Sequence, residues 1–295
     1  MLKDDFLHYL SAERNYSAAT IREYNQVLSA FSEYIRKQGG KDIDWRTIAD
    51  GDIREWVVLL MNQGSAASSA NTRLSVLRSF YKYLLAYGYV SLDPTRLIEG
   101  PKKSKPLPNF IKESEMDRLL DHTPFPQTYE GFRDHLMLLT FYSTGIRLAE
   151  LVGLNEDDVD FGAMTLKVTG KRDKQRIIPF GNELKEEMQK FQQERNEKFP
   201  VIDTKALFVS LKGVRMTPPA VRDIVKYYLG LVTTQKKRSP HVLRHSFATA
   251  MLNHGAEIEV VKELLGHESL STTEIYTHTT FEELKKIYNH AHPRA

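Results

Sequence analysis

No cysteine occurs anywhere in the 295 residues. That excludes disulfides and thiolate metal sites, and it fits a reducing compartment. No apolar run approaches the length of a membrane span, and Asp4 and Asp5 stand where a secretory signal would carry its apolar core. The expectation is therefore a cytoplasmic chain with no membrane partner. Walker-type glycine loops, acidic metal triads and zinc-ligand spacings are missing too, so the sequence implies no cofactor and no metal. Neither internal repeats nor low-complexity tracts are present. An excess of one sign of charge is also scarce: the net charge is only +3, and the basic excess falls before Pro106. Any nucleic-acid surface must come from local clustering.

What is present, with 41% hydrophobic and 27% charged residues, is enough apolar material for two ordinary domains. Residues 1–98 read as helices only. Ile21, Tyr24, Leu28, Phe31 and Ile35 follow the 3- and 4-residue spacing of one buried stripe, on a helix starting near Ser17 to Thr20 and ending at Gly39-Gly40. A second helix follows Asp50 or Asp52 and stops at Gly64. A third, capped by Ser68, Ser69 or Asn71, turns Leu74, Leu77, Tyr81 and Leu84 inward and leaves Arg73, Arg78 and Lys82 as a basic outer edge.

Residues 99–108, with three prolines and with Lys102, Lys103 and Lys105, read as a stiff, phosphate-attracting linker. Residues 109–295 are again mostly helical, interrupted by short β-prone runs at 159–161, 165–168 and 176–179, which predict a small three-stranded antiparallel sheet. The last turn of that sheet carries Lys171, Arg172 and Lys174, and a third basic cluster, Lys236-Lys-Arg238, precedes His241.

The chemistry concentrates late in the chain. Arg147 lies in Ser143-Thr-Gly-Ile-Arg147-Leu-Ala-Glu150, between a helix ending near Thr144 and another beginning, with Glu150 placed to orient a guanidinium or an imidazole. His241-Val-Leu-Arg244 opens a helix after Pro240, so its two ends share one side of the first turn. His245 points elsewhere and reads as a structural histidine. His267 follows Gly266, whose left-handed turn ends a helix over 258–265. Tyr276 sits on a short helix capped by Ser271. Two arginines hold non-bridging phosphate oxygens, imidazoles move protons, and a phenol attacks: the set reads as metal-free phosphoryl transfer.

This ordered set resembles the active site of the tyrosine recombinases, the phage integrase family. Leu243-Arg-His-Ser-Phe-Ala-Thr-Ala-Met-Leu-Asn-His-Gly-Ala256, then Leu264-Leu-Gly-His267 and the tail His290-Ala-His-Pro-Arg-Ala295, is similar to the Xer branch of XerC/XerD-type site-specific recombinases. The resemblance implies a mainly α protein: an N-terminal SAM-like, core-binding bundle that clamps DNA, and a mostly helical catalytic domain with its small sheet. It also implies a catalytic lysine in the second hairpin, Lys171, with Lys174 as its rival. Tyr276 would join a 3′ phosphate while a 5′ hydroxyl leaves. Lys171 would protonate that oxygen, His241 would help deprotonate Tyr276, and Arg147, Arg244 and His267 would stabilise the phosphorane. Arg73, Arg78, Lys82, Lys102, Lys103, Lys105, Arg172 and Lys174 would contact double-stranded target DNA.

The implied assembly is a homo- or hetero-tetramer on DNA, with a DNA translocase as a further activating partner, and the implied role is resolution of chromosome or plasmid dimers. Integration or inversion by a mobile element, and relaxation by a type IB topoisomerase, use the same chemistry. A non-catalytic helix-turn-helix protein, formed by 257–265 and 271–278, is the alternative from another class. Phe281, Leu284, Ile287 and Tyr288 form one apolar face on a last helix, and the resemblance favours its docking on a neighbouring protomer over packing into its own domain.

Overall fold

The computed structural model describes residues 1–102, 109–170, 173–200, 204–266 and 281–295. The chain divides into two compact units, Met1–Pro106 and Leu107–Ala295.

The first unit is built from α1 (Leu2–Ala12), α2 (Ala18–Gly39), α3 (Asp50–Asn62) and α4 (Ala67–Ala86). Ser17 caps α2 by accepting from the Thr20 amide, and Gly40 closes it at φ +66°. The stripe on α2 is buried as its spacing predicts: Leu28 and Phe31 are in the core, with Ile21, Tyr24 and Ile35 packed against it. Asp52 anchors the start of α3 by accepting the Ala49 amide at 2.8 Å. The expected caps of α4 are a correction. The helix begins a turn early, with Ala66 at the cap position, and Asn71 lies inside it. The Asn71 amide donates to Ala67 O and, at 2.8 Å, to Pro101 O. A polar side chain inside a helix can bond outward as well as to its own backbone, and here it ties the start of the proline-rich segment to α4.

In the second unit, α5 (Glu113–Asp117) runs into a π-helical turn, Arg118–His122, and leads to α6 (Tyr129–Thr144). From Leu136 to Thr144 α6 is apolar or small and every residue is buried, as a helix hydrophobic all round must be, while its first half carries the buried ion pair Arg133–Asp134. α7 (Leu148–Gly153) precedes a three-stranded antiparallel sheet, β1 (Val159–Asp160), β2 (Thr165–Thr169) and β3 (Gln175–Pro179), in the order β1-β2-β3. In the β2–β3 hairpin Val168 faces Arg176 and Leu166 faces Ile178. α8 (Asn182–Lys198), α9 (Pro218–Val232), α10 (Pro240–Asn253), α11 (Ile258–Leu265) and α12 (Phe281–Ala291) complete the unit. α8 and α10 flank α6, while α11 and α12 both pack on α10 and β3.

In this single chain, Leu284, Tyr288 and Ala291 of α12 join the core of their own unit. A helix ends with orphan carbonyls, and two of those at the end of α6 are met by this tail. The Tyr288 hydroxyl donates to Ser143 O and His292 Nε2 bonds Tyr142 O, each at 3.1 Å. The His292 ring stacks between Tyr288 and Phe247. Arg294, paired with Asp117, Asp121 and Glu183, closes the end.

Candidate active site

Arg147 is the residue at which the chain turns from α6 into α7. Gly145 makes the turn possible: its φ is +60°, and a Cβ there would lie 2.5 Å from Phe247 Cδ1 and 2.8 Å from Leu265 Cδ2. Only glycine tolerates both demands. Arg147 then occupies the cap position of α7, and Glu150, three residues on, reaches back to accept its amide at 2.8 Å. The Arg147 side chain returns to the same carboxylate through Nη1 (2.8 Å) and donates Nη2 to Gly266 O (2.9 Å). Its side chain stays 38% exposed, which leaves donors facing solvent.

Glu150 is 3% exposed and would be too costly to ionise alone. Burial pushes its pKa up, but the fork of Arg176, the Arg147 amide and the Arg147 side chain outweigh that and hold it down at about 2. Arg176 donates Nη1 and Nη2 to the two carboxylate oxygens, each at 2.9 Å, and Nε to Leu264 O at 2.8 Å.

Arg244, on the second turn of α10, is buried and donates to Gly145 O (2.8 Å) and Leu265 O (2.7 Å). Burial, with repulsion from Arg147 and Arg176, lowers its pKa to about 10, so it stays cationic at neutral pH. The three guanidiniums thus satisfy the successive carbonyls of residues 264, 265 and 266, the unpaired end of α11. That end has a negative dipole and attracts cations.

His241 is exposed on the first turn of α10. His245 is a correction: it is exposed rather than structural, one turn below His241 on the same side. Its pKa is lowered by partial burial and by the neighbouring His241, Lys237 and Arg244.

Lys171, Arg172, His267 and Tyr276 lie outside the described residues, as do Lys103 and Lys105. Their flanks are informative. Gly170 N donates to Lys174 O at 2.8 Å, closing the hairpin on either side of Lys171, and a Cβ on Gly170 would lie 3.3 Å from Glu150 Oε1. Gly266, the last described residue before His267, sits at φ +63°, with its carbonyl accepting from Arg147 and its Cβ position 3.1 Å from Arg176 Cδ. In the first unit Arg78 and Lys82 are exposed on α4 and Arg73 is half-buried, with Arg78 also donating to Ile98 O. Lys102 and Lys174 are exposed.

Sequence reasoning missed Arg176. The signal existed: two-residue periodicity places it on the same face of β3 as the fully buried Ile178. A charge there requires a buried partner.

The comparisons with known proteins agree with this geometry. Residues 109–283 match the family model described as "Phage integrase family", and residues 4–88 match "Phage integrase, N-terminal SAM-like domain". The chain is 37% identical over 295 residues to tyrosine recombinase XerC of Oceanobacillus iheyensis, covering 99% of this chain and 96% of that one. It is 35% identical over 294 residues to tyrosine recombinase XerD of the same organism, covering 99% and 98%. Among solved structures, XerH site-specific recombinase bound to palindromic difH substrate, a post-cleavage complex, superposes with a TM-score of 0.74 at 24% identity, over 92% of this chain and 80% of that one. At that identity the likeness speaks for the fold.

Proposed function

The chain belongs to the phage integrase family of tyrosine recombinases, enzymes that cut and rejoin DNA, and from that footing we propose how its own residues divide the reaction. Tyr276 Oη attacks the scissile phosphorus and forms a 3′-phosphotyrosyl ester as the bond to the 5′ oxygen breaks. Lys171 gives that oxygen its proton, and His241 takes the proton of Tyr276. Arg147, Arg244 and His267 hold the non-bridging oxygens as charge grows on them. Glu150 fixes the Arg147 guanidinium. The ester conserves the bond energy, so a strand from a partner duplex can displace the tyrosine without ATP or metal.

One observation carries this reading. Arg147 and Arg244 converge on the carbonyls of Gly266 and Leu265, the last two residues before His267, so the phosphate-holding groups stand where the segment bearing the nucleophile begins. The substrate is a double-stranded target site, held also by Arg73, Arg78, Lys82, Lys102, Lys103, Lys105, Arg172 and Lys174. The assembly is a tetramer on DNA, homomeric or with a second recombinase. The role is Xer-type dimer resolution, with a DNA translocase as activator.

The test is a nicked suicide substrate carrying the target site. Wild type should accumulate a covalent protein–DNA adduct in the presence of a chelator. Tyr276→Phe should bind the same DNA and form none. An adduct from Tyr276→Phe, or a Mg²⁺ requirement in the chemical step, refutes the assignment.

A further inference from the structure

We propose that Arg176 is a positioning residue for strand cleavage: its single guanidinium locks the hairpin bearing Lys171 to the helix end that leads into His267, with Glu150 and Arg147 clamped between. The proposal rests on the reading above, in which Lys171, Arg147 and Tyr276 perform the chemistry.

The argument starts from the donor geometry of arginine. A guanidinium offers a two-pronged edge and an Nε–H in one rigid plane. Arg176 spends the fork on Glu150 and the Nε on Leu264 O. One side chain therefore joins β3 to the start of α7 and to the end of α11, elements separated by 26 and 88 residues. The base of the hairpin is part of the same contact. Val168 pairs with Arg176 across the ladder, and Gly170 lacks the Cβ that would otherwise press on Glu150 Oε1 at 3.3 Å. The helix end is part of it too, since the Gly266 Cβ position is 3.1 Å from Arg176 Cδ. The Arg176 side chain is only 16% exposed and each of its three nitrogens already donates to protein, so it acts through its neighbours. A lysine has one point-like ammonium and can serve Glu150 or Leu264, not both.

Glu150 is faced by Arg147 from its own helix start, Arg176 from β3 and Arg244 from α10. Losing Arg176 leaves a buried carboxylate with less to hold it ionised. Acid then neutralises it sooner and slackens Arg147.

The experiment compares wild type and Arg176→Lys in single-turnover adduct formation on a suicide half-site, with DNA binding measured by anisotropy and rates followed across pH. Arg176→Lys should bind DNA as wild type does, cleave on the order of 100-fold more slowly, the scale of a small misplacement of reacting groups, and lose rate at a higher pH on acidification. Gly170→Ala, a milder intrusion on Glu150, should give the same signature in smaller measure and serves if the lysine variant fails to fold. Wild-type cleavage in both variants, a parallel loss of binding and cleavage, or a slower rate with an unmoved pH profile overturns the proposal. Absence of a Tyr276 adduct in wild type overturns the parent reading and this one with it, whereas a normal wild-type adduct beside an unimpaired Arg176→Lys sinks this proposal alone.

Discussion

Glu150→Gln keeps the size of a buried side chain and removes its charge, leaving the forks of Arg147 and Arg176 without their shared anion. The cost follows from linkage. The carboxyl has an ordinary value of 4.5 and is held at about 2 in the folded chain. At about 1.4 kcal/mol per pH unit, its ionisation contributes about 3 kcal/mol at neutral pH. With 3% exposure, no discount for solvent screening applies. Removing one partner from a buried pair costs about 3–5 kcal/mol, so two independent routes agree. The sign is that of a depressed carboxylate: the contribution is complete above pH 4.5 and is lost as pH falls toward 2, leaving about 1 kcal/mol at pH 3.

The buried His292, whose pKa burial depresses to about 4, adds an acid sensitivity of its own. It does so equally in both proteins and cancels in the difference. With a urea slope of about 2 kcal/mol/M, the midpoint of the second unit should fall by about 1.5 M at pH 7. Far-UV circular dichroism follows that transition. Tryptophan fluorescence serves as the reference for the first unit, because both tryptophans, Trp45 and Trp56, lie in its core. A difference below about 1 kcal/mol at pH 7, or one as large at pH 3 as at pH 7, would refute the claim that Glu150 is an ionised structural centre.

Three further outcomes are expected. Lys171→Ala should slow cleavage of an ordinary substrate far more than of one with a 5′-bridging sulfur, since a thiolate leaves unprotonated; equal losses on both would make Lys171 a DNA contact instead of a general acid. Gly145→Ala combines a left-handed backbone with a Cβ 2.5 Å from Phe247, and should destabilise the second unit by about 2–4 kcal/mol in urea unfolding; a loss under 1 kcal/mol would show that this turn relaxes. Tyr288→Ala empties a fully buried site and strips Ser143 O of its donor, so thermal unfolding should report about 3–5 kcal/mol lost by the catalytic unit; an unchanged transition would mean that the tail is not held there.

Much of this was legible before any coordinates. The stripe of Leu28 and Phe31, the glycine stops at Gly40 and Gly266, and the three short strands follow from local periodicity and backbone freedom, which depend on residues a few positions apart. The face of α12 was legible as well, but not what covers it. An amphipathic pattern states that a side must be buried and is silent about the partner, so the same residues suit a neighbouring protomer or the end of α6. His245 was misread because it was set aside as pointing away from its neighbour Arg244, whereas its four-residue spacing from His241 puts both on one exposed side of α10. Arg176 was passed over because a basic hairpin reads as surface until its strand face is counted.

By itself the sequence determined the elements, the order of the motif residues and the family, all of which are set by neighbours along the chain. Only the tertiary structure decided which groups meet. Arg244 and Gly145 are 99 residues apart, Arg147 and Gly266 are 119 apart, and Tyr288 and Ser143 are 145 apart. The unpaired carbonyls of α6 and α11 and the buried charge of Glu150 exist only once the helices have packed. The physical reason is that local propensity is summed over one or two turns, whereas a buried carboxylate or an orphan carbonyl takes its energy from whatever the fold brings within 3 Å.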